Sequence, residues 1–293
     1  MGGGPVPPSG SAAVATSLPD KGEQVHRSKS STESDGYTVL VTGMGPFPDG
    51  EGGRYEENDN TSHLITQYLP HSLPASHPLN PTHLPIRILN PTAPTGCYVK
   101  TEYGYIRSFI QRLYDDFTDP GTGDCTLDAV VHLGMADGFR AYTVEERAFN
   151  ERMSSNWWSD QLGQDTRYYL IPDDAGRTVE DIPEDEGRGL WRDAPTGLAA
   201  ELDVSRVADH AVRAVNSLGE EKKVVSIVPH FEAGPFGCGF IYYESLATCR
   251  KRKLGTKVVF SHVPSWKDEA SLQRGAEAIC AIIGAVCKQI DSN

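Results

Sequence analysis

Two residues in this sequence have surroundings suited to nucleophilic chemistry. Cys238 stands in HFEAGPFGCGFIYYESLATC, where Pro and Gly make a tight approach and an apolar helical pattern starts near Phe240. A thiol at a helix N-terminus has its thiolate stabilised by the free N–H groups and the dipole, and the same groups can hold an oxyanion. His262 closes the apolar run KVVFSHV (257 to 263) just before Pro264. An imidazole at a strand end is a natural base for a thiol near neutral pH. Such a pair calls for an acid that fixes the imidazole tautomer, and YTVEERAFN offers Glu145 and Glu146. The residue types alone leave the two glutamates unseparated.

The elements that must position these groups follow from the apolar pattern. Short, nearly continuous apolar runs recur at YTVLVTG (37 to 43), PIRIL (85 to 89), LDAVVHLG (127 to 134), VVSIVP (224 to 229) and KVVFSHV (257 to 263). Continuous rather than alternating runs imply strands buried on both faces, as in a mostly parallel sheet, and helical patterns at 98 to 115, 205 to 217 and 268 to 288 supply the covering layers. The expected architecture is a three-layer α/β/α sandwich around a mostly parallel twisted sheet. In such sheets, functional groups gather at the C-terminal ends of the strands.

A single catalytic domain is expected over residues 37–293, preceded at 1–36 by a Gly/Pro/Ser-rich tail that has too little apolar surface to offset its ordering entropy. Two stretches break the α/β rhythm and read as surface insertions: a Pro/His-rich one near 69–84 and a polar, Trp-bearing, acidic one at 151–196. The acidic run at 180–188 has no metal-ligand spacing and reads as a solvated loop.

The bulk numbers exclude some partners. With 293 residues, 38% of them hydrophobic, the chain can bury a full core, and its net charge of -13 argues against nucleic-acid or anionic-membrane surfaces. The greasiest stretch, AICAIIGAVC at 278 to 287, is shorter than a bilayer span and suits a buried helix. The N-terminus has no basic region followed by an apolar one, and Val6 stands where a myristoylation signal wants Ser or Thr. Six scattered cysteines without a CxxC pair fit neither a zinc site nor a disulfide framework, so the cytoplasm is the expected location. Cys97, Cys125, Cys249, Cys280 and Cys287 read as small hydrophobes or inert thiols.

At the chemistry-bearing residues the sequence resembles pyroglutamyl peptidase type I, also called pyrrolidone-carboxylate peptidase, from Tyr37 to about Ile290. Four motifs carry the resemblance in order: VLVTGMGPF (39 to 47) with NTS (60 to 62), HLGMADGFRAYTVEERAFN (132 to 150), AGPFGCGFIYYESL (233 to 246) and FSHVP (260 to 264). The resemblance implies the Glu, Cys, His order of that family. It also separates the glutamates, since the family's acid lies as far before an Asn as Glu145 lies before Asn150. It further implies a three-layer α/β/α fold and removal of an N-terminal pyroglutamyl residue from small peptides, with neither metal nor organic cofactor. Met44, Phe47, Met135 and Phe236 would line an apolar pocket for the compact lactam.

Departures from the family pattern bear on the substrate: Met44 stands where Phe is usual, Met135 where some members have Gln, and Leu170 where an Arg is found. They motivate two alternatives. One is a cysteine amidohydrolase of the same fold acting on another small N-acyl or lactam group. The other is a catalytically silent homologue. The oligomeric state is left open by the sequence.

Overall fold

The computed structural model describes residues 36–49, 52–90, 98–150, 171–182, 194–219 and 224–292. Strands β1 (Tyr37–Gly43), β5 (Ile86–Leu89), β6 (Ala129–Met135) and β10 (Lys257–Val263) run parallel in the order β10-β6-β1-β5. A two-residue strand, β4 (Ser72–Leu73), adds antiparallel to the β5 edge. Every residue of β6 is buried, as the continuous apolar run requires of a central strand covered on both faces.

A second sheet has the order β8-β7-β9, with β7 (Tyr142–Phe149) antiparallel to β8 (Gly197–Ala199) and parallel to β9 (Ile227–Glu232). It lies beside β10, where the His262 N–H donates to Thr143 Oγ1 at 3.1 Å. A short ribbon, β2 (Phe47–Pro48) with β3 (Arg54–Tyr55), stands outside both sheets.

Strand alternation sends side chains to two covering layers. On one face Val39, Val41 and Val131 pack against α1 (Thr61–Thr66), α3 (Val204–Asn216) and α5 (Glu269–Ser292) through Ile65, Val207 and Ile282. On the other, Leu40, Val130 and Phe260 meet α2 (Tyr103–Asp116) and α4 (Gly237–Arg252) through Ile106, Phe240 and Tyr243. Helix α3 starts where the Asp203 carboxylate accepts the Arg206 N–H at 3.0 Å. Helix α5 is long and apolar enough to cross a bilayer, yet 78% of its apolar window is buried inside the protein, which marks it as a core helix.

The α/β/α sandwich with a mostly parallel sheet is the architecture expected from the sequence. Several readings differ, among them the helix read from 98, which starts at Tyr103. The strand read at 224 to 229 occupies Ile227–Glu232, with Val224 80% exposed ahead of it. Helix α4 begins at Gly237, ahead of Phe240, so that Cys238 lies inside its first turn. The stretch at 69–84 contributes β4 to the sheet and Leu73 and Leu79 to the core. The tail up to residue 35, and 151–170 and 183–193 within the second insertion, lie outside the described residues.

Candidate active site

The end of β6 and the start of α4 meet at one point. A Cβ on Gly134 would lie 2.6 Å from Cys238 Sγ and 2.7 Å from Phe260 Cζ, so the absence of a side chain at 134 is what lets the thiol settle over the sheet. In α4 the helical ladder opens with the Phe240 N–H donating to the Phe236 carbonyl at 3.0 Å. The N–H groups of the first turn precede that ladder and have no acceptor within the helix. Cys238 sits among them, at the positive end of a 16-residue helix.

The Cys238 sulfur lies over Gly134, the residue that pairs with His262 in the β6–β10 register, and the His262 imidazole reaches Glu145, with Nδ1 2.8 Å from Oε1. Glu145 and His262 are both buried. Thr143 locks them together: its hydroxyl donates to Glu145 Oε1 while accepting the His262 N–H at 3.1 Å. One turn after Cys238, the Tyr242 hydroxyl donates to the Glu145 backbone carbonyl at 3.1 Å, fastening the helix that carries the nucleophile to the strand that carries the acid. Residues four apart share a helix face, so Cys238 and Tyr242 address the same wall.

The electrostatics of this site centre on His262 and Glu145. Burial alone would lower the basicity of His262, but the negative charge and hydrogen bond of the Cys238 sulfur, joined by those of Glu145, outweigh it and push the imidazole up to about 10. Burial likewise pushes the Glu145 carboxyl up, and the imidazoles of His230 and His262 reverse that and hold it below its ordinary value. The arrangement can hold a thiolate, an imidazolium and a carboxylate in sequence, which is what attack on an acyl carbon requires.

Of the residues picked from sequence, the structure thus brings Cys238, His262 and Glu145 together at one site, with His262 and Glu145 hydrogen-bonded. Met44 and Phe236 lie at the same turn. The Met44 Cε would be 3.5 Å from a Cβ on Gly237, and Phe236 is the residue that caps α4 and meets the Tyr103 ring at 6.0 Å. Met135 and Phe47 stand differently. The pleat of β6 turns Met135 to the face opposite Gly134 and Cys238, and Phe47 packs on Tyr55, with ring centroids 4.9 Å apart, on the outer ribbon. Leu170 lies outside the described residues.

The NTS motif has a structural task. The Met44 N–H donates to Ser62 Oγ at 3.1 Å, and Asn60 Nδ2 donates to the Gly45 carbonyl at 2.6 Å, so α1 holds the loop after β1. Thr61 Oγ1 donates to the Pro264 carbonyl at 2.7 Å and ties the same helix to the turn after His262.

Sequence reasoning missed His230. Its Nδ1 lies 2.6 Å from the second oxygen of Glu145, directly opposite in the β7–β9 register. Phe139 closes this part of the site, its ring centroid 5.7 Å from both His230 and His262.

No protein-family model and no curated protein matches the chain. Solved structures do. A pyrrolidone carboxyl peptidase from Thermus thermophilus superposes over 84% of this chain and 98% of its own, with a TM-score of 0.53 and 20% identity. That of Pyrococcus furiosus covers 87% and 99% with a TM-score of 0.57 and 17% identity. That of Thermococcus litoralis covers 87% and 96% with a TM-score of 0.57 and 15% identity. The chain therefore has the α/β/α fold of the pyrrolidone carboxyl peptidases, and at these identities the likeness is one of fold.

Proposed function

We propose that this chain is a cysteine exopeptidase that removes an N-terminal pyroglutamyl residue from peptides. The observation that carries the reading is the Cys238–His262–Glu145 line at the N-terminus of α4. The shared fold with pyrrolidone carboxyl peptidases supports the choice of substrate.

In this reading His262 takes the Cys238 proton and the thiolate attacks the carbonyl carbon of the pyroglutamyl residue. The first-turn N–H groups of α4 hold the oxyanion, a contribution of roughly 10²–10³ in rate per donor. The tetrahedral intermediate collapses as the imidazolium gives its proton to the departing amine, leaving an acyl-thioester on Cys238. Water, deprotonated by His262, then releases pyroglutamate and restores the thiol. Glu145 keeps Nδ1 protonated and stabilises the imidazolium throughout. Met44 and Phe236 offer apolar contact suited to a compact neutral lactam. A free-thiol enzyme of this kind belongs in a reducing compartment such as the cytosol.

The test is hydrolysis of a pyroglutamyl-fluorophore conjugate by the purified chain, compared with the Cys238→Ser variant. Turnover that vanishes in the variant and after thiol alkylation is expected. Turnover that survives Cys238→Ser would overturn the mechanism. Met44 at the thiol's turn, where the family pattern has Phe, favours a second substrate class. If the pyroglutamyl conjugate is inert while Cys238 alkylates rapidly, other small N-acyl amides become the substrates to try.

A further inference from the structure

Glu145 is gripped from two sides. His262 of β10 takes Oε1 at 2.8 Å, and His230 of β9 takes Oε2 at 2.6 Å. The carboxylate is fully buried, whereas the His230 side chain keeps 25% of its surface exposed. We propose that His230 is a positioning residue of the relay: it fixes the Glu145 carboxylate and, through its own proton, sets how much of that carboxylate's charge reaches the His262–Cys238 pair. This rests on the reading of Cys238, His262 and Glu145 as the reactive line.

The charge arithmetic gives the proposal content. A thiolate, an imidazolium at His262 and a carboxylate at Glu145 sum to a net negative charge in a largely buried site. A protonated His230 brings the sum to zero. Removing that proton leaves the full carboxylate to oppose thiolate formation at Cys238 and to support the His262 imidazolium, so both should ionise at higher pH.

The groups facing His230 among the described residues are consistent with a titrating role. Glu145 approaches from β7 and raises its pKa through a hydrogen bond and its charge, burial lowers it, and the His262 charge from β10 also lowers it. The Glu232 backbone, on the same strand, adds a hydrogen bond that raises it, with a net upward shift. Phe139 covers both imidazoles and contributes no charge. His230 is thus more readily protonated than an ordinary histidine while remaining in reach of solvent protons.

Two variants separate the parts of the proposal. In His230→Gln an amide can still donate to Glu145 but cannot titrate. In His230→Ala both functions are lost. The measurement is the rate of Cys238 alkylation by iodoacetamide from pH 4 to 10, read by mass spectrometry of the Cys238 peptide, which needs no peptidase substrate. Expected for His230→Gln is an acid limb moved upward by about 0.5–1 unit with the plateau rate retained, the size of a charge effect at one remove. Expected for His230→Ala is the same shift together with a lower plateau. A merely structural His230 would lower the melting temperature and leave the limb in place. Profiles of both variants that superpose on the parent would overturn the proposal while leaving the relay standing. A Cys238 that fails to alkylate at any pH in the parent would overturn the relay and this proposal with it. Should His230→Ala fail to fold, the Gln variant alone decides.

Discussion

The two faces of the parallel sheet are built from different chemistry. The face toward α1, α3 and α5 is filled mainly by aliphatic side chains, Val39, Val41, Val131, Ile279, Ile282 and Ile283, and its buried polar groups, such as Thr61, Arg274 and Gln289, donate to backbone carbonyls. The face toward α2 and α4 is aromatic and wired. Phe240, Tyr242 and Phe260 are fully buried there, Arg107 Nε donates to Glu244 at 2.8 Å, and Tyr114 shares a 2.7 Å hydrogen bond with Ser245. Thr42 and His132 meet at 2.8 Å in the same layer, and burial pushes that imidazole down to about 3, so it stays neutral. An aliphatic face gives stability without direction. Hydrogen bonds between buried groups fix rotation and translation as well, and the wired face is the one on which Cys238, His262 and Glu145 meet.

The largest expected effect breaks the wired face at its centre. Glu145→Gln keeps the shape and removes the charge shared by two imidazoles, and turnover should fall about 10⁴-fold, the cost of losing the carboxylate from a nucleophile-base-acid relay. The stability profile should change in a defined direction. Folding holds Glu145 below its ordinary pKa, so its stabilising share is present above about pH 4.5 and is lost on acidification. The His262 share is complete below about pH 6.5 and is lost as pH rises toward about 10. The Gln variant should therefore melt lower near neutral pH, fall less steeply on acidification because no Glu145 carboxylate is left to protonate, and lose the His262 share at lower pH, read from melting temperature against pH. A melting profile that superposes on the parent's would mean that the carboxylate is not coupled to either imidazole.

The next effect compares the faces directly. Glu244→Gln leaves the Arg107 guanidinium buried beside a neutral amide and should cost about 3–5 kcal/mol. It should also lower turnover, because Glu244 lies on the helix that carries Cys238. Ile282→Ala on the aliphatic face should cost about 2–5 kcal/mol through lost burial and a cavity, with turnover per folded molecule unchanged. Chemical denaturation and active-site titration distinguish the two. Equal effects of both variants on turnover would show that the division between the faces has no functional meaning.

Much of this was legible in the sequence, for physical reasons. Nearly continuous apolar runs gave β1, β5, β6 and β10 to within two residues, because strands covered on both faces carry few polar side chains, and a buried exception, His132 in β6, is bonded to Thr42. Cys238 and His262 were legible as a thiol after a Gly-rich turn and an imidazole at a strand end. Glu145 was not separable from Glu146 by residue type and needed the family resemblance. His230 was illegible because Pro229 reads as the end of a strand. Strand β9 is an edge of its sheet, where a proline without an N–H costs no ladder hydrogen bond, so the strand runs on through His230 to Glu232. The pairing of Glu145 with His230 is a matter of register between strands some eighty residues apart, which no local pattern encodes.

The smallest expected effect is the sharpest test of position. Glu146 follows Glu145 in an extended strand, so its side chain points to the opposite side, and it cannot reach the imidazole that Glu145 holds at 2.8 Å. Its carbonyl accepts the Ala200 N–H at 2.9 Å, a backbone contact with the β8 end that a side-chain change leaves in place. Where Glu145 is buried, Glu146 is half-buried, and a carboxylate that keeps contact with water loses little when neutralised. Glu146→Gln should change turnover less than about twofold and stability by less than about 0.5 kcal/mol, the range of a substitution away from any buried network. Measured beside Glu145→Gln under the same assay, the pair amounts to a one-residue shift of the same chemical change along one strand. A crippled Glu146→Gln with a mild Glu145→Gln would place the acid on the wrong side of β7 and dissolve the relay. Similar, mild losses in both would mean that the carboxylate between the two histidines does not act on Cys238 at all.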